Sequence, residues 1–296
     1  MRIVVGISSD DQTFSLLRVA AQLYPQAAFT LVHAIDHGLT RYPTLGTKAR
    51  DKVHEEMSPL LDAGHTLLEK AAKSIPADLN ITPETACSLG NPSRLIIKAA
   101  EEKAADLIII GSREHQHEER EFTLGSTSHQ TASHAPCATL TIKNTQITQI
   151  RRALIAVKSP DDSAQIYRWL ASNPFHSPVE VTILHVVPAL HSYLANHALA
   201  QYDQWHDFLH NDSMGSGQDF VDNVSAMFTK PPASNHYKAH GQIANGDPAD
   251  IIIKEAAQYD LVIVGSSGAL SAIRFLYGSV VQKVIHRISI PIMITG

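Results

Sequence analysis

The sequence is one unit written twice, and that repetition narrows the folds open to it. Residues 2–7 (RIVVGI) return as 152–157 (RALIAV), and 29–35 (FTLVHAI) return as 181–187 (VTILHVV). Gly90-Asn91-Pro92 returns as Gly246-Asp247-Pro248, 106–112 (DLIIIGS) as 260–266 (DLVIVGS), and Gly125-Ser126 as Gly278-Ser279. The offsets are 150, 152, 156, 154 and 153 residues. Five landmarks at a nearly constant offset mark a tandem duplication. The length, 296 residues, suits two domains. The join falls near 144–150, so the expected domains are 1–147 and 148–296.

Each half alternates short β-branched apolar runs with longer segments of helical period. The runs at 2–7, 28–35, 81–87, 106–111 and 138–143 read as strands, as do 152–157, 179–187, 237–244, 260–265 and 290–295. Helical period marks 11–24, 92–104, 161–172 and 248–257. Strands that are apolar throughout and alternate with helices form parallel sheets covered on both faces. The expected class is α/β, as two tandem open five-stranded parallel sheets with flanking helices. The last strand of each half needs a partner for its backbone groups. The matching strand of the other half is the simplest one, which would make the chain an intramolecular pseudo-dimer. The middle segments, 36–80 and 188–236, are less regular and are where lids or interfaces are expected. Within the second, 196–211 has helical period, with Leu199, Tyr202, His206 and Leu209 on one side.

Composition removes several classes of function. The chain carries 24 Lys+Arg against 29 Asp+Glu, a net charge of −5, so no basic footprint exists to bind a nucleic acid. Apolar residues make up 44 %, enough for a buried core. Two cysteines, Cys87 and Cys137, cannot form a disulfide framework, and both read as small buried apolar residues. The N-terminal residues lack a signal-peptide pattern, and no run of 18 apolar residues could span a membrane. A cytoplasmic protein with neither a nucleic-acid nor a membrane partner is expected.

The most informative string is Gly265-Ser266-Ser267-Gly268, nine residues, then Gly278-Ser279. Gly265 ends an apolar strand, and Gly278 precedes a segment, VVQKVIHR, that reads as a helix. Glycines let backbone N–H groups approach a ligand with no Cβ in the way. A helix N-terminus adds free N–H groups and the positive end of the dipole. Together they make a phosphate cradle at the carboxyl ends of parallel strands. Two glycines serving only tight turns and helix packing is the alternative. The string is neither the P-loop nor the dinucleotide fingerprint.

The pattern G-x2-G-x9-G-S after a strand ending in Asp-Leu-Val-Ile-Val resembles the universal stress protein family. Gly246-Asp247-Pro248 before a helix and the strand 184–187 (LHVV) match further landmarks of that family, and the likeness covers nearly the whole chain. The resemblance implies a nucleotide-binding α-hydrolase-like fold holding ATP or another adenine nucleotide, with or without magnesium. It implies that Gly265, Gly268, Gly278, Ser279 and Val280 wrap phosphates and ribose. Val264 would lead into that turn, Val186 would meet the adenine edge with backbone groups, and Ala156 and Lys158 would lie beside the nucleoside. Arg274, in the spacer, would reach the terminal phosphates or stand in solvent.

The family's usual Asp after the first strand is replaced by Lys158 in the second half and by Ser8 in the first. Near a ribose, Lys158 would replace an acceptor with a donor. In the first half Glu114 stands where the second glycine belongs, and Glu118, Glu119 and Glu121 follow. Those carboxylates would repel phosphate, so nucleotide is expected in the second domain and not in the first. His115 and His117, His206 and His210, and His236 and His240 are spaced to share a metal, but none belongs to a complete ligand set. His33 and His185 occupy equivalent places, which points to a shared packing role. No catalytic set is evident. The expected function is a nucleotide-binding stress-response regulator with an unidentified protein partner, alone or as a dimer of tandem chains. A ligand-free or metal-binding scaffold and a slow ATPase are the alternatives.

Overall fold

The computed structural model describes residues 1–9, 12–36, 47–111, 125–143, 149–188, 203–266 and 278–295. The chain forms two compact units, one from each half. The first contains β1 (Arg2–Ile7), α1 (Gln12–Leu23), β2 (Ala28–Ile35), α2 (Thr47–Lys73), β3 (Glu84–Leu89), α3 (Pro92–Glu102), β4 (Leu107–Gly111), α4 (Ser126–His134) and β5 (Ala138–Ile142). The second contains β6 (Arg152–Ala156), α5 (Pro160–Ser172), β7 (Val179–Val187), α6 (Asp203–Met227), β8 (Tyr237–Asn245), α7 (Pro248–Ala256), β9 (Leu261–Gly265), α8 (Ser279–Arg287) and β10 (Ile292–Thr295).

Each unit is a five-stranded parallel sheet. The strand order is β3-β2-β1-β4-β5 in the first and β8-β7-β6-β9-β10 in the second. The central strands are apolar on both faces because helices cover both. Ile3, Val4, Val5 and Leu107–Ile110 are buried in one unit, and Ala153, Leu154, Ile155 and Leu261–Val264 in the other. β3 begins three residues later than its apolar run because Pro83, just before Glu84, has no N–H for a ladder. It continues to Leu89, where Gly90 turns the chain.

The Gly-Asx-Pro landmark is a strand-to-helix turn in both copies. Gly90 and Gly246 have φ of +149° and +146°, a region L side chains rarely enter. Asn91 and Asp247 cap α3 and α7, and Pro92 and Pro248 take the first helical position.

The middle segments, where described, are long helices lying on the sheets. The helix expected over 196–211 instead spans Asp203–Met227; residues 189–202 lie outside the described residues. Its continuation was masked in the sequence by Gly215 and Gly217, poor helix formers. Gly217 is there for space: a Cβ on it would overlap Ile243 Cδ1 and lie 3.3 Å from His185 Cδ2. Gly64 in α2 stands over His33 in the same way, with a Cβ falling 3.1 Å from His33 Cδ2. Each of these histidines bonds the backbone end of the neighbouring strand. His33 Nδ1 lies 2.8 Å from the Ile7 carbonyl, and His185 Nδ1 lies 2.9 Å from that of Val157. The shared packing role expected of the two histidines is therefore present in both units.

Candidate functional site

In each unit the strand order reverses beside the first strand, between β1 and β4 and between β6 and β9. Open α/β sheets present a ligand crevice outside the carboxyl ends of the strands at such a point. In the second unit, Ala156 at the end of β6 is in register with Leu184 of β7 and Val264 of β9. Gly265 lies one residue further along, opposite Thr295 of β10. Val186 lies two residues beyond Leu184. Ala156, Val186, Val264 and Gly265 therefore meet at one end of the sheet. The side chains of Val186 and Val264 are buried, so these two form walls or offer backbone only.

α8 starts on the same side. β9 and β10 are parallel neighbours, so the chain leaving Gly265 must return to the opposite end before β10 begins. α8 makes that return, which puts Gly278, Ser279 and Val280 at the carboxyl ends. Asn91, Ser159 and Asp247 close the N-termini of α3, α5 and α7 with side-chain hydrogen bonds, whereas Gly125 and Gly278 give α4 and α8 no side-chain cap. Ser279, at the first helical position, is exposed. The cap residue therefore brings no side-chain acceptor to the first N–H groups of α8, the kind of helix end that can receive an anion.

A carboxylate absent from the sequence expectations stands at this crevice. Ser159 caps α5 by accepting from the Asp162 N–H at 3.3 Å. Asp162 turns back, and its Oδ2 accepts from the backbone N–H of Lys158 at 3.1 Å. The arrangement is a capping box shifted by one residue, and its sequence signal was Ser159-x-x-Asp162. The same carboxyl group lies over Gly265: a Cβ there would fall inside Asp162 Oδ1 and 2.9 Å from Asp162 Cγ. The bare Cα of Gly265 makes room for that close approach, and a side chain there would have to displace the carboxyl group. Burial pushes the Asp162 carboxyl above the usual carboxylate range, opposed by the Lys158 N–H and charge. Lys158 itself is exposed. An acceptor therefore does stand at the strand ends, supplied from four residues further along the chain.

The equivalent mouth of the first unit is built differently. A Cβ on Gly111 would meet Leu16 Cδ1 at 3.2 Å, an apolar neighbour where the second unit has a carboxylate. The Ser128 hydroxyl donates to the Gly111 carbonyl at 2.5 Å and ties α4 to β4. The matching position in α8 is Val281, which is buried.

Gly268 and Arg274, the acidic residues Glu114, Glu118, Glu119 and Glu121, and His115 and His117 lie outside the described residues, as do the side chains of His206 and His210. His236 Nδ1 lies 3.1 Å from the Phe175 carbonyl and His240 Nε2 lies 2.9 Å from Thr182 Oγ1, so both are held in hydrogen bonds. Among the described residues no three His, Cys, Asp or Glu side chains gather to hold a metal. Cys87 and Cys137 are free thiols, each partly exposed rather than buried as the sequence implied, and burial together with the Asp106 charge pushes the Cys137 thiol up to about 12. No described helix is long and apolar enough to cross a membrane.

The fold and its crevices define a duplicated, doubly wound α/β protein. The universal stress protein family model matches residues 1–143 and again 149–296. The chain belongs to the universal stress protein family, with two copies of its domain in tandem. A universal stress protein from Archaeoglobus fulgidus DSM 4304 is similar over 99 % of this chain and 95 % of its own, with 18 % identity and a TM-score of 0.64. A putative universal stress protein from Pseudomonas aeruginosa UCBPP-PA14 is similar over 99 % of this chain and 92 % of its own, with 12 % identity and a TM-score of 0.59. At these identities the likeness is one of fold. A search of curated proteins finds no match.

Proposed function

We propose that the second domain binds an adenine nucleotide, ATP foremost, at the carboxyl ends of β6 and β9, and that the protein acts as a ligand-responsive regulator. The observation that carries this reading is the uncapped N-terminus of α8 on the same side of the sheet as Gly265. Membership of the family and the intact G-x2-G-x9-G-S string support it. The anionic tail lies at Gly278, Ser279 and Val280, and Gly268 and Arg274 are assigned to the same tail from the sequence pattern. The nucleoside lies against Ala156, Val186, Val264 and Gly265, beside Lys158. The first domain, with Leu16 under Gly111 and without the second glycine, serves as a structural partner. The domain limits are 1–147 and 148–296.

Calorimetric titration with ATP, with and without magnesium, tests the reading. Wild type binds in the micromolar range, about −8 kcal/mol. Gly278→Val, which places a branched side chain at the N-terminus of α8, weakens binding by more than tenfold. Equal binding by the two proteins removes the site. Phosphate release that persists for hours and is lost in Gly278→Val would make the protein a slow hydrolase instead.

A further inference from the structure

We propose that Asp162 sets the orientation and charge selectivity of the nucleotide site: its carboxylate accepts from hydroxyl or amino donors of the nucleoside and excludes phosphate from the strand ends. The inference rests on the nucleotide reading above. It begins from Oδ1 of Asp162 standing over the bare Cα of Gly265 while Oδ2 holds the Lys158 N–H at 3.1 Å. That N–H, together with the capped first turn of α5, fixes the carboxylate in place. A phosphate pressed against Gly265 would share its space with a negative charge in a partly dehydrated crevice, where like charges repel strongly. A sugar hydroxyl or an exocyclic amine placed there would donate to it in a charge-assisted bond. The two ends of the site thus differ in sign: uncapped N–H groups at α8, an acceptor at β9.

Among the described residues, α5 packs against β9, β10 and α6, and α6 carries Asp212, Asp219 and Asp222. Lys158 acts on it across the turn, Asp161 is its exposed neighbour on α5, and His185 on β7 is bonded to the Val157 carbonyl. β9 and the first three residues of α8 bring no charge. Uptake of a proton by Asp162 would remove the repulsion, and burial already pushes its carboxyl toward the neutral form. The affinity for ATP relative to adenosine should therefore rise as pH falls.

The test is calorimetric titration of the full chain with ATP and with adenosine, for wild type and Asp162→Asn, at pH 7.5 and pH 5.5. Asparagine keeps the shape and can still accept from the Lys158 N–H, but carries no charge. It also shares every titration that belongs to the ligands, so it is the baseline for the wild-type pH profile. The expected result is a ratio of ATP to adenosine affinity at least fivefold higher in Asp162→Asn at pH 7.5, and a rise in the wild-type ratio toward pH 5.5 beyond that of the variant. Asp162→Ser serves as the uncharged variant should asparagine fail to fold. Wild type that binds neither ligand overturns the nucleotide reading and this inference with it. Wild type that binds, with a ratio and pH profile shared by the uncharged variant, leaves the nucleotide reading standing and overturns the role of Asp162.

Discussion

Gly265 and Asp162 occupy one small volume, and each limits the other. Gly265→Ala drives a methyl group into the carboxylate, and overpacking of this kind costs about 1–3 kcal/mol. The same change in an Asp162→Ala background should cost much less. Urea denaturation of the four proteins in the cycle measures the coupling, expected at about 0.5–3 kcal/mol for groups in contact; additive effects would mean the two do not meet. The sequence singled out Gly265 for its bare backbone at the end of an apolar strand, and the neighbour found there is the Asp162 carboxyl group. It left Asp162 unread. Attention fell on Lys158, the residue that directly follows the strand, whereas the acceptor reaches the same place from the first turn of α5 by bending back on itself. Spacing along the chain does not show such a return; Ser159-x-x-Asp162 was the sign available, and it reads at first as helix capping alone.

At the scale of the element, two glycines in α6 separate propensity from packing. Gly215 is exposed and a Cβ there meets nothing within 4 Å, so Gly215→Ala should stabilise the protein by up to about 1 kcal/mol. Gly217 is buried against Ile243 and His185, so Gly217→Ala should destabilise it by about 1–3 kcal/mol although alanine is the better helix former. Thermal melts of the two variants shifting in the same direction would refute the close approach of α6 to its sheet. These helices were the least legible part of the fold. The strands announce themselves by apolar runs and most of the short helices by their period, but α2 and α6 carry mixed polar sequence, and in α6 the residues that let it lie close to the sheet are the ones that argue against a helix. Asp247 caps α7, accepting from the N–H groups of Ala249 at 2.9 Å and Asp250 at 3.1 Å, and Asp247→Ala should cost about 1 kcal/mol in denaturation.

For the molecule as a whole, stability at alkaline pH should respond to a buried cation. Lys143, which follows β5, is 3 % exposed, and burial pulls its ammonium from 10.5 down to about 8. Below pH 8 both folded and unfolded chains carry the proton and the cost of burying the charge is fully present. Between about 8 and 10.5 the folded chain sheds the proton first, so stability rises with pH. Cys137 acts in the opposite sense above pH 9, because its thiol stays protonated up to about 12 in the folded chain and ionises earlier in the unfolded one. The net gain is therefore confined to pH 8–9 and amounts to about 1 kcal/mol, one pKa unit of differential binding. Lys143→Met should abolish this rise in denaturant titrations; its persistence in the variant would assign it elsewhere. The two halves share one architecture and differ at their crevices, with a carboxylate over Gly265 and a leucine under Gly111. That asymmetry gives the most direct test of nucleotide binding by the second domain. Backbone amide NMR of the intact chain titrated with ATP reads both crevices in one sample. Shifts at Gly265, Ser266, Gly278 and Ser279, with Gly111, Gly125 and Ser126 unmoved, are the predicted result; equal shifts in both halves, or none in either, would contradict it.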